Sequence, residues 1–123
     1  MGLNFIRIAV IYLVIGTSLG IVMGISQRFT LVPVHAHVLL LGWATLAIAG
    51  VVYQLYPMAA NTRLARIHFW LHNLGLPVFM VALALLLSGH ESMMPLVGIA
   101  ALVVLLGLVL FAANFLLTTK TAA

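Results

Sequence analysis

Charge is what this sequence has least of. Of its 123 residues only 5% are Asp, Glu, Lys or Arg, and a single one is acidic. A soluble domain carries about a quarter charged residues, so this chain has too little polar material to cover a surface facing water. Its 66% hydrophobic content points to lipid as the solvent instead. In lipid every backbone polar group must be satisfied internally, and the long unbroken apolar runs suit helices rather than the alternating strands of a barrel. Cysteine is absent, which excludes disulfides, thiolate-held iron–sulfur clusters and c-type haem attachment. The five basic residues give a formal charge of +4 but stand singly between apolar runs. They are orientation signals, not a phosphate-binding patch, and no nucleic-acid partner is expected. The Met-Gly start carries Ile6 where a myristoylation signal needs Ser or Thr. The first apolar run is too long and too rich in glycine for a cleaved leader, and is expected to stay as a helix.

Four runs have the roughly 20 residues that a bilayer core requires. They cover about residues 5–25, 34–56, 67–87 and 95–117, with polar or proline-containing breaks between them at Ser26-Gln27-Arg28 and Pro33, at Pro57 and Asn61-Thr62-Arg63, and at Gly89-His90-Glu91-Ser92 and Pro95. The expectation is an all-α, single-domain, four-helix transmembrane protein spanning residues 1–123. Arg7, Arg63, Arg66, Lys120 and the amino terminus fall on one side; Arg28 and Glu91 share the other. The positive-inside rule then predicts both termini in the cytoplasm. Gly16, Gly20 and Gly24 form a small-residue ridge on the first helix, the pattern that lets membrane helices approach closely. The fourth helix, nearly all Leu, Val, Ala and Gly until Asn114, reads as a lipid-facing or purely packing element.

Five histidines in so apolar a chain are the informative feature. Ionisable groups inside membrane helices are costly and mark function by default, and imidazole is a ligand for haem and transition metals. His35 and His37, at the start of the second helix, point about 200° apart, so one ion could not take both from a regular helix. Each can serve a separate site on its own flank, as in a ring of subunits. His68 and His72 share one face of the third helix, a spacing suited to a divalent metal or a bound headgroup. His68 reads as an interfacial residue near Trp70 and Arg66. His72 lies deeper, ahead of Pro77, where a bend is expected. By helical rise, His37 and His72 come out roughly 15 Å apart in depth, too far to share one iron within a chain. His90, beside Glu91, reads as a solvated loop residue.

The segment Pro33-Val34-His35-Ala36-His37, continued by Val38-Leu39-Leu40-Leu41-Gly42-Trp43 and closed by Tyr53-Gln54-Leu55-Tyr56-Pro57, resembles the second helix of subunit I of the haem–copper oxidase superfamily, which includes the cytochrome c oxidases and nitric oxide reductases. His68-Phe69-Trp70-Leu71-His72-Asn73-Leu74-Gly75-Leu76-Pro77 looks like what short four-helix relatives of that subunit would carry. The resemblance is strongest over residues 30–80. By its Pro-x-His register it implies that His35 stands where a low-spin haem ligand stands. A full catalytic subunit is a ring of three similar four-helix arcs, and this chain has the length of one arc. A His-x-His pair in the superfamily's tenth helix, the third-arc counterpart of the second, serves two different haems. The resemblance therefore implies a homotrimer in which His35 of one chain and His37 of the next clamp one b-type haem. It also implies a multi-pass protein of a bacterial-type inner (plasma) membrane, with a quinol or a redox protein as electron partner. The superfamily's copper-binding histidines and tyrosine are not recognisable, so copper is not expected, and the chain by itself does not read as a complete oxidase. Three readings stay open: a haem-binding electron carrier or redox accessory, a non-haem assembly or stability subunit of a respiratory complex, and a small metal or proton transporter using His68 and His72, with His72 also a candidate cofactor contact.

Overall fold

A computed structural model of the chain describes residues 1–120. The described residues form four long helices and no strand. Helix α1 spans Gly2–Ser26 and α2 spans Val32–Leu55; a short helix α3, Pro57–Ala60, leads into α4, Arg63–Leu87. A turn of 3-10 helix over Glu91–Met93 then opens α5, Met94–Lys120. Each of the four long helices is long and apolar enough to cross a bilayer.

Local chemistry explains the boundaries. Proline stands at the first turns of α2 and α3, where its missing N–H costs nothing. Thr62 caps α4, its hydroxyl accepting from the Ala65 N–H at 3.0 Å. Gln27 ends α1 in the left-handed region at φ 55°, its amide donating to the Gly24 carbonyl at 2.6 Å. Gly89, at φ 103°, turns the chain between α4 and α5. Helix α4 continues through Pro77 as one helix.

The helices pack antiparallel. Gly2 lies against Gly50 and Gln54, Leu71 against Gly107, and Tyr53 against His68. One end of the bundle thus gathers the start of α1, the α2–α4 connection and the end of α5, and the other gathers the first and third loops. Without a hydrophobic driving force in lipid, such helices associate through close backbone approach and buried polar bonds. Both devices are present. A Cβ at Gly16 would stand 2.5 Å from Leu39, and one at Gly50 would stand 2.6 Å from Ile6, so α1 and α2 touch through glycine. Gly24, the third residue of the expected ridge, meets nothing within 4 Å. The core has two parts. Phe5, Ala9, Leu46, Ala49 and Tyr53 fill the terminal end, and Val34, Val38, Leu76, Phe79, Met80 and Val104 fill the loop end.

Helix α5 does more than face lipid or fill space. Asn114 is 1% exposed and donates to the Ala59 carbonyl at 2.8 Å, while its own carbonyl accepts from the Thr62 hydroxyl at 2.8 Å. One amide therefore fastens α5 to the connection between α2 and α4.

Candidate functional site

The histidines of the helices divide into two classes by burial, and in each the hydrogen bonds bear on which nitrogen carries the proton. A carbonyl oxygen can only accept, so an imidazole nitrogen bonded to one must carry the proton.

His35 and His37 form the first class. His35 donates its Nδ1–H to the Gly16 carbonyl of α1 at 2.8 Å, and its ring rests on Gly20, where a Cβ would stand 2.7 Å from Cε1. His37 donates its Nδ1–H to the Pro33 carbonyl one turn earlier at 2.6 Å, with its ring edge-on to Phe79 of α4 at 5.4 Å between centroids. The two rings thus lie on different flanks of α2, one toward α1 and the other toward α4. Both are partly exposed, and the strip between them, Ala36 and Leu40, is exposed and apolar. Each Nε2 keeps its lone pair. A histidine whose Nδ1–H is held by a carbonyl has its tautomer fixed and its Nε2 made more basic, which is how metal-ligating imidazoles are supported.

His68 and His72 form the second class, and both are 0% exposed. His68, expected near the interface, is enclosed by the helices around it. Its ring is enclosed by Phe5 at 5.0 Å and Phe111 at 5.1 Å between centroids, and its Nδ1 lies 3.0 Å from the Tyr53 hydroxyl. Sequence reasoning missed the cause, which is that α1 and α5 both deliver aromatic rings to this level of α4. His72 donates its Nε2–H to the Leu41 carbonyl at 2.9 Å.

That acceptor is special. Residues Val38–Ala44 of α2 form a wide π turn, in which the Thr45 N–H bonds the Leu40 carbonyl five residues back. The Thr45 hydroxyl joins it on the same oxygen at 2.7 Å. Such a turn loosens the regular ladder and re-aims carbonyls, and π turns of this kind gather at functional sites. The contacts of the His37 and His72 rings bear on their separation along the bundle. Leu41 is four residues from His37 and Phe79 is seven from His72, so helical rise sets the two histidines about 6–10 Å apart along the axis.

The structure therefore brings His68 and His72 together, 5.5 Å between ring centroids, and keeps His35 and His37 apart. His90 is an exposed loop residue whose Nδ1–H meets the Leu85 carbonyl at 3.2 Å. Among the described residues no group of three or more His, Asp or Glu could hold a metal ion.

No family model matches this sequence, and no curated protein or solved structure matches it either.

Proposed function

We propose that the protein is a haem-binding membrane protein in which His35 of one chain and His37 of a neighbouring copy hold a single b-type haem, with three copies closing the ring. The observation that carries this reading is the pair of Nε2 lone pairs on different flanks of α2, each ring held by an Nδ1–H bond to a backbone carbonyl. This donor set fits an axial ligand pair, because neutral imidazole with a free Nε2 is the ligating form. The exposed apolar strip between the two rings gives a second copy a surface to meet. The resemblance of the segment from Pro33 to Pro57 to the second helix of oxidase subunit I points the same way.

A haem held by two histidines supplies a one-electron couple with no open position for oxygen. The chain's own part is to fix two imidazole tautomers, to exclude water with the apolar ends of α1 and α4, and to keep the ligands on a rigid helix. The function is accordingly electron transfer or a redox accessory role in a bacterial-type inner membrane, exchanging electrons with a quinol or a redox protein. Arg7, Arg63, Arg66 and Lys120 support placing both termini in the cytoplasm.

One observation favours the reading as a non-haem assembly subunit. His68 and His72 are fully buried and each hydrogen-bonds α2, so intramembrane histidine in this chain does not by itself imply a cofactor. Purification from haem-replete cells decides between them. The haem reading expects a red detergent extract with about one haem per chain by pyridine haemochrome, a bis-histidine low-spin EPR signal, and a trimer by native mass. A colourless protein that takes up no hemin overturns it.

A further inference from the structure

The two fully buried imidazoles each leave one nitrogen without a protein partner, Nε2 on His68 and Nδ1 on His72. What those atoms can bind depends on which of them carries a proton, and the surrounding bonds decide that. His72 donates from Nε2 to the Leu41 carbonyl, so its Nδ1 is a lone pair. The His68 Nδ1 faces the Tyr53 hydroxyl at 3.0 Å. With that hydroxyl donating its proton, the acceptor is the His68 Nδ1. His68 accepts there, and its proton sits on Nε2.

The unpartnered pair is therefore one donor and one acceptor. A metal cation would need two lone pairs and is refused by this pairing. A water molecule, which takes one bond and gives one, matches it. The surroundings favour a small neutral ligand as well. Phe5 and Phe111 flank His68, Gly107 brings α5 to within 3.6 Å of the same ring when a Cβ is placed on it, and among the described residues the side-chain bonds of the two histidines go to Tyr53 and the Leu41 carbonyl.

We infer that one buried water bridges the His68 Nε2–H and the His72 Nδ1. It completes a hydrogen-bonded chain in which every donor points the same way, from the Tyr53 hydroxyl through His68, water and His72 to the Leu41 carbonyl in the wide turn of α2. The chain links α2 to α4 at two levels and runs through the bundle interior between its terminal end and its middle. It involves neither His35 nor His37, so it stands or falls separately from haem binding.

The test is magic-angle-spinning NMR of 15N-histidine-labelled full-length protein in lipid bilayers. The expected result is a protonated Nε2 and an unprotonated Nδ1 on both His68 and His72, with polarisation passing from water to the His68 Nε2–H. Tyr53→Phe removes the donor to the His68 Nδ1 and is expected to spread His68 over both tautomers while leaving His72 as it was. An unprotonated Nε2 on His68, with zinc or copper found by elemental analysis of the same sample, would replace the water by a cation. Absence of water transfer to the His68 Nε2–H in the unsubstituted protein overturns the bridge whatever the variant does.

Discussion

His72 donates its Nε2–H to the Leu41 carbonyl across 2.9 Å, joining the middle of α4 to the wide turn of α2. The turn and the histidine explain each other. A carbonyl in a widened stretch of helix is open to a side-chain donor, and an imidazole buried in an apolar bundle needs an acceptor.

His72→Phe removes that donor while keeping a ring of similar size. Interhelical hydrogen bonds in membrane proteins average about 0.6 kcal/mol and reach about 1.7 kcal/mol. The loss expected here is toward the upper figure, about 1.5 kcal/mol, because the acceptor stays buried. Unfolding by SDS titration in mixed micelles measures it. A variant as resistant as the parent protein would show that the bond contributes nothing.

Gly20 lies where the His35 ring rests, and a Cβ there would come within 2.7 Å of Cε1. Gly20→Ala is expected to push the ring off its bond to the Gly16 carbonyl and to lower haem content several-fold without loss of membrane insertion. Gly24→Ala, one turn on and in open space, is the matched control and is expected to bind as the parent does. Haem per chain, read by pyridine haemochrome, compares them directly.

Asn114→Ala breaks both bonds of its amide at once, leaving the Ala59 carbonyl and the Thr62 hydroxyl without that partner. A loss of about 1–2 kcal/mol in the same SDS titration is expected from two interhelical bonds. The visible spectrum is expected to stay unchanged, since these groups lie at the end of the bundle away from His35 and His37.

The four helices are legible in the sequence because each apolar run is about the thickness of a bilayer, and the charged or proline-bearing breaks fall at the observed ends. The helices start and stop within a few residues of the runs read at 5–25, 34–56, 67–87 and 95–117. Which face of each helix is buried is much harder to read. In water a helix shows its buried side by alternating apolar and polar residues, but in lipid both sides are apolar and the signal vanishes. His68 illustrates the loss: beside Trp70 and Arg66 it has the neighbours of an interfacial residue, yet only the aromatic rings of Phe5 and Phe111, distant in sequence, determine that it is enclosed. The wide turn of α2 is equally silent, since Val38-Leu39-Leu40-Leu41-Gly42-Trp43-Ala44 suits an ordinary helix residue by residue. The different flanks of His35 and His37 were readable, because a separation of two residues on a helix fixes the angle whatever the solvent.

The central claim is that each haem takes one ligand from each of two chains, and co-expression of two defective chains tests it most directly. His35→Ala and His37→Ala are each expected to abolish the bis-histidine low-spin signal when expressed alone, while His90→Ala leaves it intact. Expressed together with different tags and purified as mixed oligomers, the His35→Ala chain still offers His37 and the His37→Ala chain still offers His35. The account predicts that part of the low-spin spectrum returns in the mixed species. A mixed oligomer as colourless as either variant alone, or a spectrum that survives either single substitution, would contradict it.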